Sequence, residues 1–167
     1  MTSTRVYIGG ADALASNLRR VPAVRAILEM TILNNPTLDE LTQRAVEAAR
    51  NSYSRYSGFS VGAALKLSNG EVVTGTNVEN ASYGLTICAE RSALVAAVTR
   101  FGPGIRVEAV VVVNLNNAPS PPCGACRQVL SEFIRPDARV TFPATGGART
   151  MKFSELMPEM FELKSKE

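Results

Sequence analysis

Strands and helices alternate along this sequence, which predicts an α/β protein built on one layered sheet. Three observations carry the prediction. Residues 107–113 are mostly valine, as in a strand covered on both faces. Residues 61–76 hold two strand-like runs around Ser68-Asn69-Gly70, a hairpin signal because Asn-Gly accepts the positive φ of two-residue turns. Amphipathic or alanine-rich helical stretches flank them at 38–52, 88–100 and 124–134.

Each element has a local reason. Thr37 to Glu40 is a T-x-x-E capping box, and Leu38, Leu41, Ala45, Ala48 and Ala49 share one face of a helix, so the first helix runs over 38–52. Residues 53–60 are polar and contain glycine, hence a loop. Residues 61–67 read as a strand, although Gly62, Ala63 and Ala64 lower its propensity, and 71–76 return antiparallel to it. A helix follows over 88–100, then the valine strand, then a Pro/Asn loop at 114–122. The next helix spans 124–134. Short strands at 139–142 and 150–153 surround Gly146-Gly147, and a short helix follows at 154–161, with Pro158 an irregularity within it. No internal repeat is present.

The length of 167 residues fits one domain that buries about 70% of its unfolded surface. Residues 37–167 read as that domain, and residues 1–36 as a helical or flexible N-terminal extension, with helical apolar spacing over 24–33. Asp12 interrupts the only stretch that resembles a secretory signal. The arginine- and serine-bearing, acid-poor start also has the composition of a transit peptide.

Composition excludes several functions. The 18 Lys+Arg and 15 Asp+Glu leave a net charge of +3 with no basic block, so no nucleic-acid stripe is visible. Apolar runs are far shorter than the about 20 residues of a membrane span. The absence of histidine removes His ligands, His-activated nucleophiles and imidazole acid/base chemistry. Three cysteines cannot form a fully paired disulfide framework, which points to reduced thiols and a cytoplasmic protein.

Those cysteines form two clusters, Cys88-Ala89-Glu90 and Pro122-Cys123-Gly124-Ala125-Cys126. A C-x-x-C at a helix start places two thiolates on one metal ion, and Cys88 at another helix start makes a third. Zinc prefers this soft set, and three protein ligands leave a fourth position open. Glu90, two residues after Cys88, is close enough to serve as acid and base at that position without binding the metal. The pattern [HC]-x-E followed by P-C-x-x-C is the signature of zinc nucleobase deaminases. Zinc with three thiolates carries a net charge of −1, which helix N-termini and a hydrogen bond from Arg91 would offset, with Gln128 as a further neutral donor.

At these residues the sequence resembles the small, homotetrameric cytidine deaminases. Three blocks carry the likeness: residues 55–65 (RYSGFSVGAAL), 76–91 (TNVENASYGLTICAER) and 122–130 (PCGACRQVL). The resemblance extends over about residues 38–161. It implies a three-layer α/β/α fold on a five-stranded mixed sheet, and one zinc per subunit bound by Cys88, Cys123 and Cys126. Glu90 would activate the water that attacks C4 of cytosine. Asn77 and Glu79 would hold the ribose 3′-hydroxyl, Phe59 would pack on the base, and the backbone at Ala89 would read the base edge. Ala81, Tyr83 and Phe161 would reach a neighbouring subunit's site in a homotetramer. The implied reaction is hydrolytic deamination of cytidine and deoxycytidine, with no nucleic-acid or membrane partner. Arg55 stands where a proline is common, and Glu162-Leu163 replaces the usual Gly-Pro after the closing phenylalanine. Two alternatives share the zinc motifs: a deaminase of a modified or antibiotic cytosine nucleoside of the blasticidin type, and a zinc-stabilised binding module without catalysis.

Overall fold

The computed structural model describes residues 35–161 and 163. The N-terminal extension predicted from sequence, including the helical spacing over 24–33, lies outside them apart from its last two residues. The described elements are α1 (Leu38–Arg50), β1 (Val61–Leu67), β2 (Val72–Thr76), a single 3₁₀ turn (Tyr83–Leu85), α2 (Ala89–Phe101), β3 (Val107–Asn114), α3 (Gly124–Ser131), β4 (Ile134–Ala144), β5 (Gly147–Lys152) and α4 (Phe153–Leu156).

The strands form one mixed sheet in the order β2-β1-β3-β4-β5, with only β3 and β4 parallel. Strand alternation sends side chains to two cores. Ala63, Leu65, Leu67, Val110 and Val112 pack with α2, α3 and α4 on one face. Ala64 and Val111 pack against Leu41 and Ala45 of α1 on the other. The layers are therefore helix, sheet and helices, as the sequence implied. Leu65, Leu67, Leu94 and Leu130 are among the fully buried side chains, each adding roughly 1.5–3 kcal/mol of transfer free energy.

Two glycines set how closely the helices approach. A Cβ on Gly62 would meet α1 backbone, 2.6 Å from the Ala49 nitrogen. A Cβ on Gly75 would lie 2.6 Å from the Ala89 carbonyl oxygen of α2. The facing helices answer with alanines every fourth residue, Ala45 and Ala49 on α1 and Ala89, Ala93 and Ala97 on α2, all buried. The predicted capping box of α1 is formed: Thr37 Oγ1 accepts from Glu40 N at 3.2 Å and Glu40 Oε2 accepts from Thr37 N at 2.7 Å.

Four elements differ from the sequence reading by three residues or more at one end. Helix α3 stops at Ser131 rather than 134, because Ile134 pairs with Val107 and opens β4. Strand β4 is longer than 139–142, and its Pro136 sits where the β3–β4 register breaks, so its missing N–H costs no ladder bond. Strand β5 starts at Gly147, and Phe153 belongs to α4. The terminal helix ends at Leu156, not 161: Pro158 disfavours helical φ/ψ at Met157, whose φ is −144° and ψ is 73°. Leu38 is also exposed rather than on the buried face of α1.

The topology gathers the functional loops. Strand β1 is antiparallel to both β2 and β3, so those two run the same way. The loops after β2 and β3, and the loop entering β1, therefore meet at one end of the sheet, at the carboxyl ends of β2, β3 and β4. Ligands of open α/β sheets bind in this position.

Candidate active site

Cys88 is the N-cap of α2 and Cys123 the N-cap of α3. The C-x-x-C spacing places Cys126 on the first turn of α3, where its N–H donates to Cys123 Sγ at 3.4 Å. Cysteine here does what serine does in ordinary capping, and both sulfurs sit at the positive ends of helices. The Cys88 and Cys123 sulfurs are 3.9 Å apart, and all three sulfurs lie within 4.8 Å of one another.

Arg91 is the third residue of α2. Its Nη2 donates to Thr86 O at 2.8 Å and to Cys88 Sγ at 3.9 Å. Its Nε is buried with no partner, alone among the described side-chain polar atoms. A buried, incompletely paired guanidinium beside three sulfurs suits a centre of net negative charge. The soft donor set, the sulfur spacing and this orphaned N–H all fit a zinc ion held by Cys88, Cys123 and Cys126.

Protons are shared unequally here. A hydrogen bond from Cys126, with Arg91 contributing, lowers the Cys88 thiol to about 5. Cys126 moves up, as the donor to Cys88 and because it is buried. Glu90, on the first turn of α2, is 4% exposed. Burial pushes its carboxyl above the usual range, and the Cys88 charge adds to this.

The residues implied for sugar binding are buried and already engaged. Asn77 is 8% exposed: its Oδ1 accepts from Ser52 Oγ at 2.6 Å and Val61 N at 2.8 Å, and its Nδ2 donates to Phe59 O at 2.8 Å. Glu79 is 7% exposed; its Oε2 accepts from Tyr56 N at 2.8 Å and Ser57 N at 3.3 Å, and its Oε1 from Ser57 Oγ. The Ser57 hydroxyl, then the two backbone N–H groups, hold the Glu79 carboxyl below its ordinary value against the effect of burial. Both side chains thus organise the 53–60 loop.

Phe59 is half-buried in that loop. Phe59 N donates to Ser57 Oγ at 2.9 Å. Asn116, from the loop after β3, brackets it: Asn116 Oδ1 accepts from Ser60 N and Nδ2 donates to Gly58 O, each at 3.0 Å. Sequence reasoning missed Asn116, Ser57 and Ser52. Nothing in a Pro/Asn loop or a serine-bearing segment singles them out.

Ala89 is buried at the start of α2, while Ala81 and Tyr83 are exposed, Tyr83 by 82%. Phe161 is 64% exposed. Gln128 is a correction. Its Nε2 donates to Phe161 O at 3.2 Å and lies 3.5 Å from Ser131 Oγ, so its donor is directed to the C-terminal segment and not to a thiolate.

Fold and site together define a class: an α/β protein with a three-cysteine metal centre and a buried carboxyl at one helix start. Residues 36–142 match the family described as the cytidine and deoxycytidylate deaminase zinc-binding region, and the chain belongs to that family. The cytidine deaminase of Halalkalibacterium halodurans is 46% identical over 123 residues, covering 72% of this chain and 91% of that protein. That of Mycobacterium tuberculosis is 42% identical over 123 residues, covering 74% and 88%. The crystal structure of cytidine deaminase from Burkholderia pseudomallei superposes with a TM-score of 0.68 at 42% identity, covering 75% of this chain and 100% of the other.

Proposed function

We infer that the protein is a zinc-dependent enzyme that deaminates cytidine and deoxycytidine to uridine and deoxyuridine, releasing ammonia. The observation that carries this is the buried carboxyl of Glu90, two residues beyond Cys88 at the helix start where the three sulfurs converge.

Bound by Cys88, Cys123 and Cys126, zinc supplies a Lewis acid that makes water nucleophilic near neutral pH. Glu90 takes a proton from the attacking water as the C4–O bond forms and gives it to N3. It then carries the second proton to the exocyclic amine, and the C4–N bond breaks with loss of ammonia. A carboxyl whose burial raises its proton affinity is suited to both taking and returning that proton. Arg91 moderates the charge on Cys88.

After its bonds to protein, Asn77 keeps one N–H and Glu79 keeps lone pairs. A sugar hydroxyl accepts from the first and donates to the second. Phe59 packs on the base, and the N–H at Ala89, unpaired within its helix, faces the base edge. The exposure of Ala81, Tyr83 and Phe161 supports their meeting a neighbour's site in a homotetramer. Residues 37–167 form the catalytic domain and 1–36 an appended extension. The three free cysteines support a reducing, cytoplasmic setting, and no helix among the described residues is long and apolar enough to cross a membrane.

Incubation with cytidine tests the reading: uridine and ammonia should appear in equal amounts. Zinc-loaded, folded protein that converts neither cytidine nor deoxycytidine would refute it. Sedimentation velocity tests the tetramer.

A further inference from the structure

Helix α3 holds more than two metal ligands. Arg127 follows Cys126 directly and joins two distant carbonyls. Its Nε donates to Pro122 O and its Nη1 to Leu156 O, each at 2.8 Å. Gln128, the next residue, donates to Phe161 O at 3.2 Å. Pro122 immediately precedes Cys123, and Leu156 is the last residue of α4. Two adjacent side chains of the metal-ligand helix thus grip both ends of segment 156–161.

That segment has little backbone bonding of its own. Met157 N donates to Phe153 O at 3.0 Å, and neither helix nor strand continues beyond it. Met157 and Met160 pack half-buried against the core, which anchors its middle. Phe161, at its end, keeps its ring exposed while its carbonyl is tied down. An exposed aromatic ring on a tethered backbone is a stacking surface of defined position, suited to a planar base.

We propose that Arg127 and Gln128 are positioning residues that lock segment 156–161 to the metal-ligand helix and so set where Phe161 offers its ring to the substrate base. This rests on the deamination reading above. It also explains why an arginine fits at 127: one planar guanidinium satisfies two carbonyls at a fixed spacing, which a lysine ammonium on a flexible stem does not reproduce.

The test uses the full zinc-loaded chain. Gln128→Ala should raise KM for cytidine about three- to tenfold with kcat within about twofold and zinc content unchanged, the pattern of lost uniform binding. Gln128→Glu, of the same size but without a donor, should follow it. Phe161→Ala should show the same split, and the double variant should match Phe161→Ala alone, because both changes remove one function. Uridine affinity by calorimetry should fall in parallel. Arg127→Lys should raise KM and also lower zinc affinity by about tenfold in a chelator competition, since it frees the Pro122 carbonyl beside Cys123. An active wild type with Gln128 variants whose KM is unmoved, or whose effects simply add to those of Phe161→Ala, overturns this inference alone. A wild type that converts no cytidine overturns the deamination reading and this inference with it.

Discussion

Cys88 and Cys123 cap two different helices and hold their sulfur atoms 3.9 Å apart across 35 residues of sequence. The closeness follows from topology. Both loops leave the same end of the sheet, and both helices begin there. A metal at this point ties together α2, α3 and the strands that deliver them.

Metal removal is therefore expected to loosen the fold as well as stop catalysis. A site held at a hundred times its dissociation constant adds about 2.7 kcal/mol. For a chain of this size that is about 5–10 °C in Tm. Calorimetry with and without a strong zinc chelator measures it, and Cys126→Ala should show the chelated value without chelator. Equal Tm values would mean the ion adds nothing to the fold.

Glu90→Gln separates chemistry from structure. Loss of the proton carrier should lower kcat by about 10²–10⁴. Zinc content should be unchanged, and Tm should not fall, because a neutral amide carries no buried charge. Retained turnover would remove Glu90 from the reaction.

Gly75→Ala should act on the site through packing. The new Cβ meets α2 backbone at Ala89 and Ala93, so helix α2, with Cys88 and Glu90 at its start, must shift. A stability loss of about 1–3 kcal/mol is expected, with lower kcat. Gly104→Ala is the control: nothing lies within 4 Å of its Cβ, and its change should stay within about 0.5 kcal/mol. Urea denaturation of both variants decides the matter.

Asn116→Ala should free the backbone on both sides of Phe59. Zinc content should stay at one per chain, while KM for cytidine rises about three- to tenfold, as expected from losing roughly 1 kcal/mol of fixed hydrogen bonding. Steady-state kinetics beside metal analysis show whether the bracket matters.

Glu79 links stability to pH. Its carboxyl is held below the ordinary value in the folded protein, so its contribution is present above the unfolded pKa and is lost as pH falls through the folded one. The Tm gap between wild type and Glu79→Gln should be widest near pH 7 and narrow toward pH 3. Comparing the two proteins cancels losses they share, including acid release of metal. A gap that stays constant would show that Glu79 acts by shape and not by charge.

The local features are written in short runs of residues. Thr37 and Glu40 cap α1, Val61–Leu67 is a strand with the bounds read from its residues, and C-x-E with P-C-x-x-C marks three cysteines that could hold a metal and the buried Glu90 beside them. These signals rest on sterics and hydrogen bonds within a few residues, so they survive any arrangement of the rest. Even the early end of α4 was written locally, in Pro158. Long-range pairing sets where α3 stops, because Ile134 goes to the strand that Val107 offers it. Packing between distant segments likewise makes Gly62 and Gly75 face helix backbones, Asn116 bracket Phe59, and Gln128 donate to Phe161 O. Each of those partners is distant in the chain. A side-chain amide or a missing Cβ has no local preference that names its partner, so the contact exists only once the sheet has brought the two segments together.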